Sequence, residues 1–147
     1  MLDLESISQK LARLSTEREK LESYRRLSRD EFKANFIIQD AACYSFIVAI
    51  QACIDIASHI IAACGFRKPV GSADLFAVLG EEAILSDEFV AKLNGMVGFR
   101  NILAHMYWLI DYDKVYDSLP SGLEDIARFG QYIVEFAESY ATGIERD

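Results

Sequence analysis

Two prolines and eight glycines in 147 residues leave few places where a helix must stop. Runs of β-branched residues are also scarce, so the balance favours helices over strands. Cysteine is limited to Cys43, Cys53 and Cys64. On one helix, spacings of ten and eleven residues hold them about 15 Å or more apart, too far to bridge within the chain. An odd, unpaired set of thiols fits a reducing cytoplasmic setting, and no zinc-ligand spacing is present. A net charge of −8 excludes nucleic-acid binding by overall field. The opening Met1-Leu-Asp-Leu-Glu is acidic and amphipathic, unlike a secretory leader. The apolar run 41–54 has Gln51 within it, with Asp55 and His59 beyond, before about 18 clean residues accumulate. A buried core helix is expected there, not a membrane span.

What the chain does have is apolar mass, 52 % of residues, enough for one domain spanning 1–147 with a real core. Leu4, Ile7, Leu11, Leu14, Leu21 and Tyr24 recur at helical spacing, with a gap at Arg18, and predict a first helix over 2–27. Ser28 followed by Glu31 reads as a capping box. It opens a second helix of roughly 36 residues, about 50 Å long, that stops at Gly65. Ser72 is expected to cap a short helix from Ala73 to Leu79 that ends at Gly80. Ser86 caps another, which carries Phe89, Leu93, Met96 and Val97, with Gly95 and Gly98 permitting close approach of another backbone. Asp111 to Leu119 reads as a short acidic segment ended by Pro120. The final helix, 121–141, has Leu123, Ile126, Phe129, Ile133, Phe136 and Tyr140 on one stripe. The fold class is all-α: an up-and-down bundle of four main helices plus a short one.

Charge is unevenly placed. The first 33 residues hold eight basic and seven acidic side chains, a net +1, against −9 for the remainder. Most of these form a solvated helix laced with pairs such as Glu22/Arg26; Arg25, Arg26 and Arg29 are candidates for steering RNA or a partner. On the second helix Asp40, Tyr44, Gln51, Asp55 and His59 share one face. That face either meets solvent or lines a polar cleft opposite the motif below, where Asp55 is the acid placed to orient a catalytic partner. His59 reads as a satisfied helix-end histidine.

The stretch Phe99-Arg-Asn-Ile-Leu-Ala-His-Met-Tyr-Trp108 concentrates the chemistry in the pattern R-x-x-x-x-H-x-Y. His105 can take or give a proton near neutrality. Arg100 can neutralise charge building on a phosphate. Tyr107 can position a phosphate or be modified. On an unbroken helix Arg100 and His105 lie about 140° apart, while Arg100 and Tyr107 nearly eclipse. A break near Ala104, a long reach by Arg100, or a site shared across a two-fold axis each resolves this. The bland alternative leaves Arg100 and His105 satisfied at a helix end, with Tyr107 and Trp108 in the core.

Arg100-Asn101, His105 and Tyr107, continued by Trp108, Ile110 and Asp111, resemble the signature of HEPN domains, in particular the HepT-like branch. The segment 49–61 resembles the long second helix of that family, and the likeness runs from about Leu21 to Phe136. One departure is Met106, where many HepT-like proteins have glycine. The resemblance implies a toxin ribonuclease that cleaves RNA without a metal or other cofactor, by attack of the 2′-hydroxyl on the adjacent phosphate. It casts His105 as general base or acid and Arg100 as transition-state stabiliser. Asn101 would act as a hydrogen-bond donor, and Tyr107 would shape the phosphate site. It further implies a homodimer whose motifs face a common cleft, and a nucleotidyltransferase antitoxin of the MNT type that transfers AMP to Tyr107. A non-catalytic HEPN subunit that binds a nucleotide or serves as an adaptor is the competing expectation.

Overall fold

The computed structural model describes residues 2–143. Six α-helices and one 3-10 turn form an all-α bundle: α1 (Leu4–Arg25), α2 (Arg29–Ala34), α3 (Phe36–Cys64), α4 (Ser72–Glu81), α5 (Asp87–His105), the turn Tyr107–Leu109, and α6 (Tyr112–Ala141). Helix α3 is the axis, packing against every other α-helix. By length and composition it could cross a membrane, but more than half of its most apolar stretch is buried inside the bundle.

Local chemistry sets most boundaries. The capping box at Ser28 and Glu31 is complete in both directions, and Gly65 ends α3 in the left-handed region at φ 67°. Ser86 caps α5 by accepting from the Phe89 N–H. Other boundaries depart from the expectation. The long second helix is two helices, because the Asn35 side chain accepts from the N–H groups of Ile37 and Ile38 and restarts the chain there. Asparagine offers its neighbours a capping oxygen that competes with helix continuation. Gly71, not Ser72, precedes α4, without a side-chain cap, and that helix runs on through Gly80 to Glu81.

Pro120 does not end a segment; it lies inside the single helix α6. A proline removes one helical hydrogen bond and crowds the preceding turn, at about 3 kcal/mol. Burial of Val115 and Leu119 before it and of Leu123 and Ile126 after it outweighs that cost. At Gly122, two residues beyond, α6 lies close against α3: a Cβ there would be 2.7 Å from the Phe46 ring. Gly95 and Gly98 differ. Both are exposed, and a Cβ at either meets nothing within 4 Å, so no backbone of this chain approaches them.

The basic N-terminal third is mostly tied down. Arg29 bonds Asp113 and Asp117 and lies over the Tyr116 ring, and Lys33 bonds Asp113, so α2 is pinned to α6. Arg29 therefore has a structural role, pinning α2 to α6. Glu22 pairs with Arg25 at 3.7 Å, not with Arg26. Glu17 is fully buried on the apolar face of α1, where its position between Leu14 and Leu21 could have revealed it. Burial pushes its carboxyl up, but hydrogen bonds from Arg13, Ser45 and Lys20 outweigh this and hold it below the usual carboxylate range.

Candidate functional site

The motif begins with a packing contact. Phe99 on α5 meets Phe46 on α3 edge to face, with ring centroids 5.1 Å apart. That contact fixes the rotation of α5, and the next residue, Arg100, reaches the same helix. Its Nη1 donates to Gln51 Oε1 at 2.9 Å, and Gln51 Nε2 donates to Asp55 Oδ1 at 2.8 Å. The Asp55 carboxylate thus fixes the amide so that its carbonyl oxygen faces the guanidinium. The half-buried Arg100 makes no other hydrogen bond among the described residues, and its buried Nε has no acceptor. Four of the five guanidinium donors remain uncommitted.

On the polar face of α3, Asp40, Tyr44 and Asp55 are exposed, while Gln51 turns to Arg100. Asp55 reaches Arg100 through Gln51, a link that spacing alone did not reveal. The clue was available: Gln51 stands four residues before Asp55 on that face. His59 is elsewhere. Its Nε2 accepts the Asp3 N–H at 3.1 Å, which ties the start of α1 to α3.

Helix α5 runs unbroken to His105, so Arg100 and His105 keep their separation of about 140° and only Tyr107 is carried off the helix. Met106 takes φ −125° and ψ 47°, a backbone that does not call for glycine. The 3-10 turn that follows carries Tyr107 and Trp108 out of the core, 72 % and 67 % exposed, their rings edge to face at 5.5 Å. His105 is exposed as well, and neither it nor Tyr107 makes a side-chain hydrogen bond among the described residues. Asn101 is half-buried inside α5. Arg100, His105 and Tyr107 are not hydrogen-bonded to one another within the chain. Arg100 is held against α3, and the other two stand at the open helix end. Among the described residues, no three His, Cys, Asp or Glu side chains gather as metal ligands.

Two depressions flank this region. One, between α5 and α6, is lined by Phe46, Lys92, Phe99, Ser121 and Asp125, and burial raises the Asp125 carboxyl. The other, between α1 and α3, is lined by Lys10, Arg13, Tyr44 and Val48 and reaches Gln51 and Asp55.

Known proteins share this architecture. An mRNA nuclease HepT of Shewanella oneidensis is 33 % identical over 99 residues, 67 % of this chain and 74 % of that protein. A tRNA nuclease HepT of Aphanizomenon flos-aquae is 25 % identical over 122 residues, 80 % of this chain and 83 % of that one. A solved tri-AMPylated HEPN toxin of Shewanella oneidensis, in complex with an MNT antitoxin, aligns with a TM-score of 0.82 at 29 % identity, covering 92 % of this chain and 99 % of that one. The model of the ribonuclease HepT-like family matches residues 14–133, and this chain, with Arg100 tethered to α3 and His105 and Tyr107 exposed where α5 ends, belongs to the HepT-like family.

Proposed function

We propose that the protein is an endoribonuclease toxin, paired with a nucleotidyltransferase antitoxin of the MNT type. The observation that carries the reading is the state of the motif. Arg100 is oriented by Gln51 and Asp55 with donors to spare, and within seven residues of it in the chain an exposed imidazole and an exposed phenol have no hydrogen-bond partner among the described residues. Such idle polar groups fit a phosphate ligand better than a structural role.

In the proposed reaction the 2′-oxygen of RNA attacks the adjacent phosphorus and the bond to the 5′-oxygen breaks. The products are a 2′,3′-cyclic phosphate and a 5′-hydroxyl. His105 takes the 2′-hydroxyl proton or delivers one to the departing 5′-oxygen. Arg100 stabilises the charge on the phosphorane-like transition state. Asn101 supports the phosphate site by hydrogen bonding, and Tyr107 shapes it. No metal enters these steps. The motifs of two copies face a common cleft in a homodimer, and the enzyme works in the cytoplasm. For neutralisation, the Tyr107 phenol attacks the α-phosphorus of ATP in the partner's active site and pyrophosphate leaves. The added phosphate charge beside Arg100 and His105 then blocks RNA. An AMPylated solved relative supports this step.

The test is cleavage of RNA by purified, mass-confirmed unmodified protein in chelator, with His105→Ala alongside and end-group analysis. Products ending in 2′,3′-cyclic phosphate, lost in the variant, are expected. A folded, unmodified protein inert towards several RNA classes would refute the enzyme reading. The net charge of −8 favours one alternative in that event, a non-catalytic HEPN subunit that binds nucleotide or acts as an adaptor. Nucleotide binding sensitive to Arg100→Ala would then identify it.

A further inference from the structure

The depression between α1 and α3 shares Gln51, the residue that holds Arg100, with the motif site. Its rim carries two cations from one face of α1, Lys10 and Arg13, three residues apart. Across from them on α3 stands Tyr44, 59 % exposed, above a floor of Ile47, Val48 and Ala52. Asp55 lies at the far end, and its carboxylate accepts from Gln51.

The basic residues of the N-terminal third are not alike, and Arg18 and Arg26 have no ion pair among the described residues. Arg29, Lys33 and Arg25 are paired with exposed acids. Lys10 forms no ion pair among the described residues; its Nζ donates to the neutral Ser6 hydroxyl at 2.7 Å. Arg13 bonds the buried Glu17 through Nε alone at 2.7 Å, and its guanidinium lies close to the Tyr44 phenol. Glu17 is also shared with Lys20, so its charge is divided between two cations. Two cations beside an exposed aromatic ring, over an apolar floor, match the way proteins hold single-stranded nucleic acid: phosphates on the cations, a base on the ring. Tyr44 precedes Gln51 by seven residues, about 10 Å along α3.

We infer that this depression is an extension of the active site that seats single-stranded RNA next to the scissile phosphate, Lys10 and Arg13 contacting the backbone and Tyr44 stacking a base. The inference rests on the ribonuclease reading. It also reconciles an acidic protein with an anionic substrate, since capture becomes local and does not depend on net charge.

The experiment titrates a short fluorescein-labelled single-stranded RNA of mixed sequence into the His105→Ala protein, read by anisotropy over a salt series. Lys10→Gln should reduce the slope of log affinity against log salt by about 0.7, and Lys10→Gln with Arg13→Gln by about 1.4. Tyr44→Ala should weaken binding roughly 5- to 150-fold, while Tyr44→Phe keeps it. Lys68→Gln, exposed in the segment between α3 and α4 and outside the depression, is the control and should leave the slope unchanged. Melting curves confirm folding, and Lys10→Gln alone carries the test if Arg13→Gln loosens Glu17. If the His105-intact protein cleaves RNA while slope and affinity stay unchanged in the variants, the extension is refuted and the ribonuclease reading stands. If the His105-intact protein neither binds nor cleaves RNA, both fall together. Unchanged RNA binding with loss of binding to the nucleotidyltransferase would make the depression a protein-docking surface and overturn the inference.

Discussion

The chain has two histidines, and their surroundings are opposites. His59 sits on α3 where the start of α1 crosses it, and its Nε2 is used up by the Asp3 N–H. His105 ends α5, exposed, with no hydrogen bond to its ring among the described residues. One imidazole holds two helices together; the other has both nitrogens available. The same division runs through the arginines. Arg67 is locked by Asp74 and Glu81, whereas Arg100 is held at one nitrogen. Residue type does not separate the members of these pairs; unused hydrogen-bonding capacity in a fixed position does, and the roles proposed for His105 and Arg100 rest on it.

The comparison can be broken most severely at His105. His105→Ala should lower the RNA cleavage rate about 10²- to 10⁴-fold with an unchanged melting temperature, measured as initial rates beside thermal melts. Arg100→Ala should cost about 10²- to 10³-fold in the same assay. A full rate in either variant would place the chemistry elsewhere. Gln51→Leu, which leaves the guanidinium untethered, sharpens the contrast and should give a smaller loss than Arg100→Ala. His59→Ala should do the reverse of His105→Ala. Cleavage stays intact while stability falls by about 1 kcal/mol, a drop of about 2–4 °C in Tm for a chain of this size.

The smallest effect concerns Glu17, which is buried like a structural group yet has one oxygen, Oε1, without a partner. Its folded-state pKa is lowered, so its ion pairs stabilise the fold fully above the ordinary carboxylate value of about 4, and that contribution is lost as pH falls through the lowered value. The stability advantage of wild type over Glu17→Gln should therefore shrink on acidification, which a pH series of thermal melts would record.

Legibility in the sequence followed the range of the interaction. Caps at Ser28 and Ser86 and the stop at Gly65 depend on neighbours within four residues, and these were readable. The all-α class followed from periodicity and from the shortage of breakers. Asn35 and Pro120 share one property: each has a local preference whose outcome depends on context. Asn35, within the single helix expected between Ser28 and Gly65, is a cap, while Pro120, expected as a stop, is overridden by buried neighbours. The motif residues stood out by type and spacing. The tether from Asp55 through Gln51 to Arg100 crosses 49 residues of chain at its longer step, and only the packing of Phe99 on Phe46 creates it.

The three cysteines give the axis helix a further use. Cys43 and Cys53 are buried on α3 and Cys64 is half-buried at its end. Burial pushes the Cys43 thiol up to about 11 and the Cys53 thiol further still, so neither forms much thiolate in the folded bundle near neutral pH. An alkylating reagent can modify Cys53 only when the bundle opens around its central helix. The chain thus contains its own gauge of opening: the rate at which Cys53 gains a label, followed by mass, times the exposure of the core without any added probe.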